Sequence, residues 1–345
     1  MDLTPRGPLT AALLPALAAP LHPLPHLPRL AADAVSGTAG RTGGGTGADT
    51  VVDEDVQLAL YLLYELHYGL PDADPRWEWA ADVLAARAVL EDAFEADLRR
   101  RWAQPVPDRP VADVLFEMTA EAARPGRGSL AAHVARRATR EEVRELLVLR
   151  SVYQLKEADP HTWALPRLRG RAKAALVDIQ CDEYGGGDPE RMHQVLFATT
   201  MRGLGLDDTP NAYLDAVPAP VLAGVNAISL FGLHRRLVGA LCGHLAAFEM
   251  TSSLPARRWV TGLQRLQVPA EAVVFFDEHV EADAVHEQVA AHDLCGALVE
   301  DDPLAHADVL LGAAVCLGLD DLVGTGALSC WEQGRSALRV PELVA

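Results

Sequence analysis

Between Val273 and Ala290 the sequence reads VVFFDEHVEADAVHEQVA. If this stretch is helical, His279, Asp283 and His286 stand at i, i+4 and i+7, share one face and point at one place. Two imidazoles and a carboxylate on one stripe make a metal-ligand pattern. A nitrogen-plus-oxygen donor set suits iron, manganese or zinc, although zinc alone more usually recruits cysteine or a simpler histidine set. The competing reading is a solvated helix face, because Asp277, Glu278, Glu281 and Glu287 crowd the same segment. Against it, Val273, Phe276 and Val280 form an apolar stripe beside the three ligand types.

Other donors answer to this stripe. Glu249 is an acid on a strongly apolar stretch, and such a group is costly to bury unless it is paired or metal-bound. A salt bridge to Arg257 or Arg258 is the alternative partner. Glu183 and His193 flank three consecutive glycines, Gly185 to Gly187, and a helix broken there lets two residues ten apart converge. Asp182 competes with Glu183 on sequence grounds.

The elements that must position these groups are helices. Of 345 residues half are apolar, enough to bury a large core. No period-2 alternation of strand length appears, so the expected fold is all-α. Residues 1–50 run from Pro-rich sequence into a Gly/Thr stretch containing GRTGGGTG and are expected to be a flexible tail. Residues 51–127 are expected to form an N-terminal helical, dimerising region, and 128–345 the ligand-bearing domain. Thr139-Arg-Glu-Glu reads as a capping box that opens a helix, stopped at Asp159-Pro160. A long apolar helix is expected from Ile228 to Thr251. A Gly-rich turn is expected between a helix over Leu304 to Leu317 and ALSCWEQG.

The formal charge of -18 argues against nucleic acid and anionic membranes as partners, since both demand a positive footprint. No uninterrupted apolar run of about 18 residues suggests a membrane span. Five cysteines with no CxxC pair indicate neither a disulfide framework nor a zinc–sulfur site, and a cytoplasmic location is expected.

The set Glu183, His193, Glu249, His279, Asp283 and His286 resembles the ligand set of the haem-oxygenase-like diiron oxidases and oxygenases, a family of iron-containing redox enzymes. In that family Glu and His come from one core helix, Glu from a second, and His-x3-Asp-x2-His from a third. The resemblance covers about residues 130 to 330 and implies a haem-oxygenase-like helical bundle holding two Fe2+ per chain. N-oxygenating members add a further carboxylate, and Glu157 occupies the matching position, which C–C-cleaving members generally lack. A straight helix over 160–183 would put Glu157 and Glu183 about 36 Å apart, but Pro160 and Pro166 allow the chain to turn back. His161 is an alternative ligand.

The resemblance implies O2 activation through a peroxo-diferric intermediate and N-oxygenation of the amine of an amino acid or small metabolite, with an external electron donor. Two other readings stand beside it. One is a diiron oxidase that cleaves or desaturates a small amino or fatty acid at carbon; the other is a non-catalytic metal-binding helical protein. A homodimer through the N-terminal helices is expected.

Overall fold

The structure, a computed structural model, describes residues 3–39, 48–122 and 129–343, without the side chains of 38, 39 and 281–284. Among the described residues every regular element is helical. The chain divides into two compact units, residues 1–102 with 218–229, and residues 103–217 with 230–345. The first unit therefore ends at Trp102 rather than near 127, and it takes in a second, later segment.

In the first unit, α1 (Pro8–Leu17) packs on α3 (Glu54–Glu65), and α2 (Leu27–Ala39) packs on α4 (Ala81–Trp102). For the described residues 3–39 this corrects the expectation of a flexible tail over 1–50. Leu9, Leu13 and Leu17 recur every four residues and are at most 2% exposed, so the Pro-rich stretch carries a complete apolar helix face. Pro8 sits at the first turn of α1, where it costs no hydrogen bond. The buried Asp55 carboxylate accepts from the amides of Leu9 at 2.9 Å and Thr10 at 2.8 Å, which ties the start of α1 to α3. The GRTGGGTG stretch lies outside the described residues.

The second unit begins with α5 (Val111–Ala122), α6 (Leu130–Arg136) and α7 (Arg140–Gln154). Thr139 caps α7 as expected, its side chain accepting from the amide of Glu142 at 3.1 Å while the Glu142 carboxylate accepts from the Thr139 amide at 2.9 Å. α7 stops at Gln154, five residues before the expected break, and a turn leads to the short α8 (Asp159–Thr162) and then α9 (Gly170–Glu183). After the glycine break comes α10 (His193–Gly203).

The expected helix from Ile228 to Thr251 is two helices, α11 (Ala219–Leu233) and α12 (Val238–Met250), separated at His234 to Leu237. Then follow α13 (Ser253–Arg265) and α14 (Val274–Gln288), the latter continuing as a π-helix over Val289–Gly296. α15 (Ala297–Asp301) and α16 (Ala305–Glu332) complete the unit.

α16 runs unbroken through the glycines that were expected to form a turn. It is long and apolar enough to cross a membrane, contrary to the sequence expectation, yet half of its most apolar window is buried inside the protein. It packs on α12 at backbone contact. A Cβ at Gly243 would lie 1.9 Å from the Val309 carbonyl oxygen, and one at Gly312 would lie 1.9 Å from that of Ala240. Glycine at these positions is a packing requirement that fixes how closely α12, which carries Glu249, approaches its neighbour.

Candidate metal centre

The second unit gathers two adjoining groups of potential ligands. Glu157, His193 and His279 offer donor atoms all within 4.8 Å of one another, and so do Glu183, Glu249 and His286. The groups adjoin, because Nδ1 of His193 lies 3.1 Å from Oε2 of Glu183. All six side chains are buried. The side chain of Asp283, the remaining expected ligand, lies outside the described residues.

Local structure explains how the six converge. Glu183 is the last residue of α9 and His193 the first of α10, so the glycine break places them at facing helix ends. Gly185, at φ +68, is held so close to the returning chain that a Cβ would lie 2.6 Å from the Arg191 carbonyl carbon. Adjacent helix positions point about 100° apart, so only one of Asp182 and Glu183 can face inward. Glu183 does so, while Asp182 is exposed and accepts a hydrogen bond from His286 Nε2 at 3.0 Å.

Glu157 joins through the turn between α7 and α8. Ala158 has φ +75, a conformation L-residues seldom adopt, and it reverses the chain immediately after Glu157. The Gln154 side-chain amide donates to Oε1 of Glu157 at 2.8 Å. The separation imagined along a straight helix does not arise, because α8 is four residues long and α9 runs back toward the centre.

Two histidine tautomers are set by outer partners. His279 Nδ1–H donates to the Phe275 carbonyl at 2.6 Å, which leaves Nε2 with its lone pair as the donor atom. His286 donates through Nε2 to Asp182, which leaves Nδ1 facing Glu249 at 3.3 Å. His161, weighed as an alternative ligand, stands outside both groups and pairs with His244 through ring nitrogens 3.3 Å apart.

The electrostatics follow from packing carboxylates and imidazoles together in a buried place. Burial pulls His286 down, but the Glu249 and Asp182 carboxylates prevail and push it up to about 9. Burial also opposes the charged form of His193, and Glu183 raises it nonetheless. His279 is lowered to about 4 by burial and by the neighbouring charge of His193, so it is neutral. Burial and the Glu183 charge raise Glu249. Burial favours the neutral form of Glu183 too, but the surrounding imidazoles hold its carboxyl below the ordinary value.

The donor set fits a metal. Nδ1 of His193 and of His286 each approach a carboxylate oxygen, at 3.1 and 3.3 Å, yet neither makes a properly aligned hydrogen bond. Neighbouring ligand atoms bonded at about 2.1 Å to a common ion, at right angles, stand about 3 Å apart. The His286–Glu249 pair, within one ligand group, has a distance right for shared ligation of one ion and angles wrong for hydrogen bonding, as a metal site requires. Three imidazoles and three carboxylates with no cysteine suit a first-row metal such as iron.

Residues that sequence reasoning passed over also wall the centre. Tyr153 and Gln180 are buried polar side chains one helical turn before Glu157 and Glu183. The signal was a polar residue at i-3 or i-4 from a ligand on a buried face.

No curated protein matches this chain. A family model described as iron-containing redox enzyme matches residues 144–321, just over half of the chain and the whole span from Glu157 to His286. With its all-α, haem-oxygenase-like architecture and its buried carboxylate–imidazole centre inside the matched span, the chain belongs to the family of iron-containing redox enzymes.

Proposed function

We propose that this protein is a non-haem diiron oxygenase that N-oxygenates the amine of an amino acid or similar small metabolite. One ion would be held by Glu157, His193 and His279, the other by Glu183, Glu249 and His286. Asp283 enters this assignment through its place in the sequence pattern alone. The observation that carries the nitrogen chemistry is Glu157, a buried carboxylate grouped with two imidazoles, which adds negative charge to a centre already holding Glu183 and Glu249.

The chemistry that two bound Fe(II) ions supply is reduction of O2 to an oxidant for a nitrogen lone pair. The chain's own residues prepare the place for it. Phe275 and Asp182 lock the imidazoles of His279 and His286 in the orientation that presents a lone pair inward. The buried side chains keep bulk water from competing for the donor atoms. The net charge of -18 favours approach of a protonated amine over that of an anionic substrate. Repeated turnover needs an external electron donor.

O2 consumption by the Fe(II)-loaded protein across a panel of amines and carboxylic acids tests the reading. Amine-dependent consumption with a hydroxylamine product, lost in Glu157→Ala, is the expected result. Products of carbon oxidation or desaturation would assign the protein to the other chemistry. No consumption with any substrate would make it a metal-binding protein without catalysis.

A further inference from the structure

Glu183 and Glu249 line a small cavity of about 10 Å³, walled also by Tyr153, His161, Gln180 and Phe248. Its walls include these two carboxylate residues and none of the imidazole ligands His193, His279 and His286. Its volume corresponds to about one water-sized sphere.

The polar groups around it have a common character. Gln180 is 3% exposed; its Nε2 donates to the Ala158 carbonyl at 3.4 Å, while its Oε1 has no hydrogen-bond partner among the described residues. Turning the amide over would set one carbonyl oxygen against another, so Ala158 fixes Oε1 as the unmatched acceptor. Tyr153 Oη lies 3.5 Å from His161 Nδ1, and His161 Nε2 lies 3.3 Å from His244 Nδ1. If His161 donates to His244, its Nδ1 is left to accept from the Tyr153 hydroxyl, whose oxygen then has only lone pairs to offer. Gln180 Oε1, the phenolic oxygen and two carboxylates are all acceptors. An anion is excluded by charge, and an apolar guest would leave the Gln180 oxygen unmatched.

We propose that this cavity is a buried water site, in which one water donates to Gln180 Oε1 and to a carboxylate oxygen of Glu183 or Glu249. Gln180 and Tyr153 are then positioning residues that brace the two carboxylates. The site rests on the cavity and its donor–acceptor balance, and it stands whichever substrate the centre serves.

The test uses the full-length protein. A high-resolution crystal structure of the metal-free wild type should show one solvent peak within about 3 Å of Gln180 Oε1 and of one carboxylate oxygen. Gln180→Met, which keeps the volume and removes the amide, should lose the peak. In competition with a chromophoric chelator, the variant should bind Fe(II) about 10–100-fold more weakly at an unchanged melting temperature. No peak in the wild type, or side chains closed over the cavity, would overturn the water site, as would a peak with several oxygen contacts near 2.4 Å, the signature of a cation. Loss of the peak with unchanged Fe(II) affinity would overturn the positioning role. Should Gln180→Met fail to fold, the wild-type peak decides the site, and Tyr153→Phe, read in the same competition, decides the bracing role.

Discussion

Iron binding at this centre should release protons. The perturbation is pH, and the group that carries the effect is His286, which Glu249 and Asp182 push up to about 9 against the opposing effect of burial. At pH 7 the metal-free centre therefore holds a proton on the Nδ1 that a metal must take. For one competing proton with a pKa of about 9, apparent affinity at pH 7 is about 100-fold below its limit and rises about tenfold per pH unit up to about 9. His193 is raised as well and adds to the release, whereas His279, lowered to about 4, contributes none.

The same proton acts on the stability of the metal-free fold. Because the folded-state value of His286 lies above the unfolded one, its contribution is full below about pH 6.5 and disappears as pH rises through about 9. Anaerobic Fe(II) titration with a pH indicator in weak buffer measures the protons released, and chelator competition at several pH values gives the slope. Asp182→Ala removes one carboxylate that holds the proton, so its slope should flatten at a lower pH than in the wild type. Above pH 9, where proton competition has vanished, the variant should bind less tightly because His286 has lost its orienting partner. Affinity independent of pH between 6.5 and 8, with no proton released, would refute the reasoning.

Two further outcomes are expected. His279→Ala should abolish tight binding of one Fe(II), measured as stoichiometry after anaerobic loading, and His292→Ala should leave it unchanged, because His292 packs beside Phe116 with ring centroids 5.8 Å apart and belongs to neither ligand group. Equal losses would refute the assignment of the α14 face. Deleting residues 1–39 removes Leu9, Leu13, Leu17, Leu24 and Leu27, each at most 4% exposed. At about 1.5–3 kcal/mol per buried leucine, an upper bound on the order of 10 kcal/mol is lost, enough to unfold the first unit. A melting temperature and helical circular dichroism that fall only in proportion to the residues removed would contradict this.

The centre was legible in the sequence where one helix carries the information. His279 and His286 share a face because their spacing is helical, whatever packs against it, and Thr139 caps α7 by a contact spanning three residues. Glu249 was marked by being an acid on an apolar helix. The Pro-rich N-terminus was misread because composition was averaged over 50 residues, and the four-residue recurrence of Leu9, Leu13 and Leu17 was lost in the average.

Tertiary structure alone decided the rest, because those choices depend on where a chain reverses and what lies beyond the reversal. One left-handed residue, Ala158, determines that Glu157 meets His193 and His279. The orientation of α9 selects Glu183 over Asp182 for the interior and turns Asp182 into the partner of His286. The backbone contact between Gly243 and Val309 sets how closely α12 approaches α16. The cavity lined by Glu183 and Glu249 is built from residues 153 to 249, and the sequence of any one helix holds only part of its wall. Spacing along a helix fixes direction about a single axis, whereas a metal centre is a meeting of several axes, and the distances between them exist only once the chain has packed.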